Sequence, residues 1–183
     1  MVMHSTAVFS ECRRYRYSLL RTWKRGSAKV MFIGLNPSTA DEKVDDPTVR
    51  RCIGFARQWG YGGMILTNLF AFRSTDPKFL KNVPDPVGPD NDQMIVRCCR
   101  SSALVVVAWG AHGALQGRDE RVLTLLSAPH CLGVTKSGLP RHPLYLAAST
   151  RLREFSGPRS VITCCCDDRP QVSQVGRHLR RTA

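Results

Sequence analysis

The sequence predicts an α/β protein: three αβα layers around a central, mostly parallel four-stranded sheet. Three observations carry that expectation. Short, continuous apolar runs, of which KVMFIG at 29–34 and ALVVVAWG at 103–110 are the clearest, have the pattern of strands covered on both faces. Between them lie stretches with helical spacing of apolar residues and with helical end signals. Strand and helix alternate along the chain, which favours parallel strands joined by right-handed crossovers.

The first predicted strand, 29–34, stops on Gly34 and leads into a loop. DPTVRRCIGFARQWG then reads as a helix. Asp46 is a natural N-cap, Pro47 suits the first helical position, Val49, Cys52, Ile53 and Ala56 make one apolar face, and Gly60 closes the end. GMILTNLF (63–70) is a second strand, and PDNDQMIVRCCRSSA (89–103) a second helix with Asp90 near its cap. The third strand is 103–110, and AHGALQGRDERVLTLLSA (111–128) is a third helix weakened by two glycines. HCLGV (130–134) is the fourth strand. HPLYLAASTRLREF (142–155) reads as a last helix, with Leu144, Leu146, Ala148 and Leu152 available to pack. No internal repeat or interdomain linker interrupts this order. Residues 1–155 therefore read as one domain with a basic N-terminal segment, and 156–183, without periodic apolar positions, as a basic, flexible tail.

The 183-residue chain is long enough for one well-buried core. Its 27 Lys and Arg against 14 Asp and Glu give a net charge of +13, distributed as +6 over 1–30, +3 over 31–150 and +4 over 151–183. A balanced middle with basic flanks suits a polyanion such as DNA, because each neutralised phosphate releases a counterion. The start, MVMHSTAVFSECRRYRY, has no apolar signal region, and the longest apolar stretch is too short to span a bilayer, so a cytoplasmic, non-membrane protein is expected. A monomer is expected. The eight cysteines contain no Cys-x-x-Cys pair, so neither a metal nor another cofactor is expected. Cys98 and Cys99, four residues after Met94 and Ile95, read as small core residues on a helix, and Cys164, Cys165 and Cys166 as free thiols in the tail.

In a parallel sheet the functional loops lie at the carboxyl ends of the strands. The unusual polar residues fall there: Asn36 after the first strand, Asn68 and Arg73 after the second, Trp109 and Gly110 after the third, Lys136 and His142 after the fourth. Taken singly, Asn36 reads as a cap, Asn68 as a turn amide and His142 as a core histidine. Taken together, they predict one polar crevice.

These residues give the sequence a resemblance to the uracil-DNA glycosylase superfamily. Gly34-Leu35-Asn36-Pro37 resembles its first motif, Gly-x-x-Pro, in the form of the mismatch-specific branch, whose Asn positions the attacking water. Thr67-Asn68 resembles the strand end that reads the base edge, ALVVVAWGAHGAL the third-strand segment, and His142-Pro143 the second catalytic motif. The likeness spans roughly 29–155. The chain also resembles, more closely and through CRRYRYSLLRTW, DDPTVRRC, NLFAFRSTDP, VGPDND and TKSGLPRHPLYL, domain-of-unknown-function family 1643, a name that implies no activity.

The superfamily resemblance implies a uracil-DNA-glycosylase-like fold and hydrolysis of an N-glycosidic bond, with the base flipped out of DNA. His142 is the candidate donor to the departing base, Asn36 the candidate for holding water, and Asp46 a candidate third catalytic group, with Asp41 and Asp45 nearby. Gly34 and Pro37 would shape the base site, Asn68 would read the base edge, and Phe70 or Phe72 would supply a ring. Thr48 stands where several branches place an aromatic ring on uracil, and the smaller side chain favours a modified or bulky pyrimidine, such as hypermodified cytosine of phage DNA, with a role in defence against phage. Arg50, Arg51, Arg73, Lys136 and Arg141 are candidates for DNA phosphates, and Leu139, Arg141, Leu144 or Tyr145 for a wedge in the duplex. The competing readings are a repair enzyme for uracil or mismatches, a nucleic-acid-binding protein without catalysis, and a nucleoside hydrolase.

Overall fold

The structure, a computed structural model, describes residues 3–157. Nearly all of the tail predicted at 156–183, including Cys164, Cys165 and Cys166, lies outside the described residues. The chain forms β1 (His4–Phe9), β2 (Arg16–Thr22), β3 (Lys29–Gly34), α1 (Pro47–Gln58), β4 (Gly63–Asn68), α2 (Asn91–Arg100), β5 (Leu104–Val107), α3 (Arg118–Leu123), β6 (His130–Cys131) and β7 (Arg153–Glu154). Short 3₁₀ turns occupy Pro77–Asn82, Gly110–His112, Leu115–Gly117 and Pro143–Tyr145.

All seven strands join one mixed sheet in the order β1-β2-β4-β3-β5-β6-β7. The four predicted strands are its middle, β4-β3-β5-β6, and pair in parallel. The expectation of four strands is corrected to seven by antiparallel additions at both sides: β1 and β2 beyond β4, and β7 beyond β6. The N-terminal hairpin escaped the sequence reading because neither strand has a continuous apolar run. Every second residue of β1 is exposed, as on an edge strand, and β2 carries arginines at both Arg16 and Arg21. Both arginines are buried, each with 1 % exposure, so two of the charges assigned to a phosphate-binding flank are inside the protein.

Alternation along β3 builds the two faces. Val30 and Phe32 point to α1 and join Val49, Cys52, Phe55 and Ala56, while Met31 and Ile33 point the other way and join Ile95, Val105, Val107 and Val122. Asp46 caps α1 as expected, its Oδ1 accepting from the Val49 N–H at 2.8 Å, with Pro47 following it.

Two predicted helices are corrected. The stretch 111–128 is broken by left-handed backbone at Gln116 (φ 58) and Gly117 (φ 63), leaving two 3₁₀ turns and the short α3. The stretch 142–155 makes a single 3₁₀ turn and then runs irregularly to β7. Leu146 and Leu152, six residues apart, both pack on the α1 side, whereas Leu144 and Ala148 are exposed. No regular helix would place its residues that way.

Candidate active site

The chain leaves β3 through α1 to β4 on one side, then crosses to β5 on the other. Loops that follow the parallel strands therefore diverge around β3, and a crevice opens at their carboxyl ends. Its volume is about 630 Å³, and its walls include Gly34, Asn36, Asp46, Thr48, Asn68, Trp109, Gly110, Arg141, His142 and Leu144. A concavity of similar volume, about 640 Å³, lies on the outside of α2 around Asp92, Val96 and Arg100. One helix and its end line it and no loops converge there, so we read it as a surface groove.

The floor is made where Gly34 pairs with Asn68 across β3 and β4. A Cβ at Gly34 would stand 2.8 Å from the Asn68 Oδ1, so the glycine makes room for the Asn68 amide itself. Asn68 is held from behind: Asn91 at the start of α2 donates its Nδ2 to the Asn68 and Leu69 carbonyls at 3.0 and 2.9 Å, and Arg118 donates Nε to the Leu69 carbonyl at 2.7 Å. The Asn68 Nδ2 is buried without a partner among the described residues. An unpaired buried donor costs about 1–3 kcal/mol, which an acceptor on a ligand would offset. Gly34→Ala should displace Asn68 and lower stability by about 1–3 kcal/mol, the usual range for overpacking, as read from denaturant unfolding. Unchanged stability would show that the amide has another place to go.

Asn36 spans two loops. Its Nδ2 donates to the Ser74 carbonyl at 2.7 Å and to the Pro37 carbonyl at 3.1 Å, while the Pro37 carbonyl also accepts from the Ser74 N–H at 2.9 Å. With both amide protons engaged, Oδ1 is left as an acceptor.

His142 reaches the crevice from the far side. Residues 133–141 fold back on themselves through the Val134–Pro140 bridge, and the Gly110 N–H donates to the Pro140 carbonyl at 2.9 Å. Gly110 has φ 75, and a Cβ there would lie 3.4 Å from the His142 Cβ, so a side chain would be strained as well as crowded. The His142 Nδ1 accepts from the Leu144 N–H at 3.3 Å, which places the proton of the neutral ring on Nε2. Burial lowers the His142 pKa below its ordinary value, and the charge of Asp46 pushes it back up. Asp46→Asn keeps a capping side chain and removes that charge. The His142 pKa should then fall further, followed by ring resonances in a pH titration. A pKa that stays in place would mean that Asp46 does not act on the ring.

Among the other acids, Asp41 accepts from the Lys43 and Val44 N–H groups, each at 2.8 Å, and Asp45 pairs with Arg21 at 2.8 Å. Both serve the loop. Of the base-site candidates, Pro37 is buried behind the Asn36–Ser74 tie, Thr48 lines the crevice, and Phe70, fully buried in the α2-side core, does not reach it. Phe72 packs edge-on against Tyr15, with ring centroids 5.9 Å apart. Of the phosphate candidates, Arg141 is at the rim, and Arg50 and Lys136 are exposed away from it. Arg51 donates to the Leu146 carbonyl and lies over the Phe55 ring, so it ties the chain after His142 to α1. Arg73 lies over the Phe9 ring at the β1–β2 tip. Leu139 is buried at 8 % exposure, whereas Leu144 and Tyr145 are exposed at 39 % and 77 %.

Three participants were missed by sequence reasoning: Arg16, which lines the crevice from β2, and Asn91 and Arg118, which hold its floor. Asn91 next to the helix cap Asp90 was the available signal for the floor; nothing local marks Arg16. Among the described residues, no group of three or more His, Cys, Asp or Glu is placed to hold a metal ion, and no helix is long and apolar enough to cross a membrane.

Among known proteins, a family model described as protein of unknown function, DUF1643, matches residues 16–144. No curated protein and no solved structure matched the chain.

Proposed function

The chain belongs to the DUF1643 family, whose description assigns no activity, and from the crevice we propose a DNA glycosylase that hydrolyses the N-glycosidic bond of a modified pyrimidine turned out of the helix. The observation that carries the reading is the convergence of Asn36, Asp46, Asn68 and His142, from three separate segments, on one crevice at the strand ends. The motif likeness to uracil-DNA glycosylases is part of the proposal and supports it.

Glycosidic cleavage separates a sugar with cationic character from a base that leaves with negative charge. The neutral His142 ring offers Nε2–H to an oxygen of the departing base, and the unpaired Asn68 Nδ2 offers a second donor to the base edge. Asn36 Oδ1 accepts from a water molecule and aims its oxygen at the sugar carbon. That water forms the new C–O bond as the C–N bond breaks, and its proton ends on the base. The Asp46 carboxylate, 9 % exposed and engaged through Oδ1 with the α1 cap, faces the sugar cation. Leu144 and Tyr145, exposed beside His142, are placed to fill the gap that a flipped base leaves in the stack.

The substrate follows from space. A volume of about 630 Å³, with Thr48 in the wall and Phe70 elsewhere, exceeds the need of one unmodified pyrimidine ring. The test is incubation with DNA containing uracil, mismatched thymine, or bulky modified cytosine, followed by detection of abasic sites. Release from the modified DNA in preference to uracil DNA is expected. DNA binding with no abasic product from any of them would leave a binding protein on this fold and remove the catalytic reading.

A further inference from the structure

β2 carries two buried arginines, and they are used differently. Each nitrogen of Arg21 has a partner: Nε donates to Asp45 at 2.8 Å, Nη1 to the Leu20 carbonyl at 3.0 Å and Nη2 to the Asp41 carbonyl at 2.6 Å. Arg16, equally buried at 1 % exposure, makes a single side-chain hydrogen bond among the described residues, from Nη1 to the Ala40 carbonyl at 2.7 Å. Its Nε is buried without a partner, it enters no ion pair among the described residues, and it lines the crevice.

Its position there has a backbone cause. Residues five apart in a regular strand face opposite ways. Phe9 pairs with Arg16 and Val8 with Ser18, so Tyr17 is an extra residue in β2, and this bulge turns Arg16 to the side where Arg21 already meets the 40–45 loop.

A guanidinium has five donors, and the Nε–Nη2 edge matches two oxygens of one acceptor. Asp46 and Asp41 act on Arg16 only at a distance and raise its pKa, but burial, with Arg73 and Arg21, lowers it to about 10, so it is still charged at neutral pH. A buried cation without a partner is costly unless an anion joins it. We propose that the Arg16 end of the crevice is a subsite for an oxyanion, a phosphate or carboxylate that the ligand brings in. Ser38 and Thr75 line the crevice with it and can add hydroxyl donors. The inference rests on the crevice as the ligand site and not on glycosidic cleavage. The oxyanion has two possible sources, the nucleotide phosphate or an acidic substituent on the base.

Calorimetric titration with deoxycytidine, deoxycytidine 5′-monophosphate, 5-carboxydeoxycytidine and inorganic phosphate tests it on the full chain. Wild-type protein should bind one acidic derivative at least about tenfold more tightly than deoxycytidine, and which one gains identifies the source. Arg16→Gln should abolish the preference, Arg16→Lys should keep part of it because the charge stays and the fork is lost, and Arg100→Gln, exposed on the outside of α2, should keep it whole. If Arg16→Gln does not fold, the lysine variant and the wild-type ligand series decide. Equal wild-type affinity for deoxycytidine and both of its acidic derivatives, or an undiminished preference in folded Arg16→Gln, overturns the subsite. A preserved preference without base release would sink the glycosylase reading alone.

Discussion

His142→Ala should lower single-turnover base release by roughly two to four decades, the range for loss of a transition-state donor. Folding should change little in the truncated variant, because the ring is half-buried at a loop and its one internal hydrogen bond is to the Leu144 N–H. The pH dependence has a definite sign. The folded-state pKa of His142 is below the unfolded value, so the folded protein binds fewer protons on this residue. Its contribution to stability is present above the unfolded pKa, near 6.5, and is lost as pH falls toward the folded value. Activity that needs the neutral ring should persist to lower pH than an exposed histidine would allow. Kinetics across pH 5 to 8 with wild-type and His142→Ala would check both. Base release that is untouched in the folded variant would remove His142 from the chemistry.

Asn36→Ala should produce a second, different signature. Base release should again fall by roughly two to four decades, since the acceptor for water is lost. Stability should fall too, by about 1–3 kcal/mol, because two carbonyls, of Ser74 and Pro37, lose their amide donor. The sequence alone reads Asn36 as a cap or as the holder of a water, whereas the structure makes it the tie between the loops after β3 and β4. Asn36→Asp sharpens the distinction: it supplies an acceptor where both carbonyls need a donor, so it should destabilise at least as much as alanine. Full stability together with lost activity would mean that the tie carries no weight.

What the sequence disclosed depended on how local each signal was. β3 was legible to the residue, and so were the Asp46-Pro47 start of α1 and the placement of Asn36 and Asn68 at strand ends, because a continuous apolar run followed by a polar break is written in neighbouring residues. The hairpin was not legible. Its first strand is half exposed, and the arginines of its second read as surface charge until carbonyls 20 or more residues away are seen to engage them. The irregular path after His142 was hidden for a similar reason: Leu146 and Leu152 look like helical positions, but they are placed by contacts with α1. Phe70 failed as a base-stacking ring because a strand-end phenylalanine is drawn into whichever core lies behind it, here the one under α2.

The strand order β1-β2-β4-β3-β5-β6-β7 also governs how the molecule comes into being. β3, α1 and β4 form a nearly local unit that can collapse early, and β2 can add to β4 as soon as both exist. At that stage the segments that carry Arg16, Asn36 and Asn68 are in place, yet the opposite wall is missing until β5 and β6 dock and the 133–141 turn carries His142 over Gly110. During synthesis from the N-terminus, an intermediate therefore presents a half-built trough, with Arg16 in its wall, before His142 arrives. Under the proposed function, nascent or shortened chains ending before His142 should bind nucleic acid without releasing a base, which makes base release the last property the growing protein would acquire.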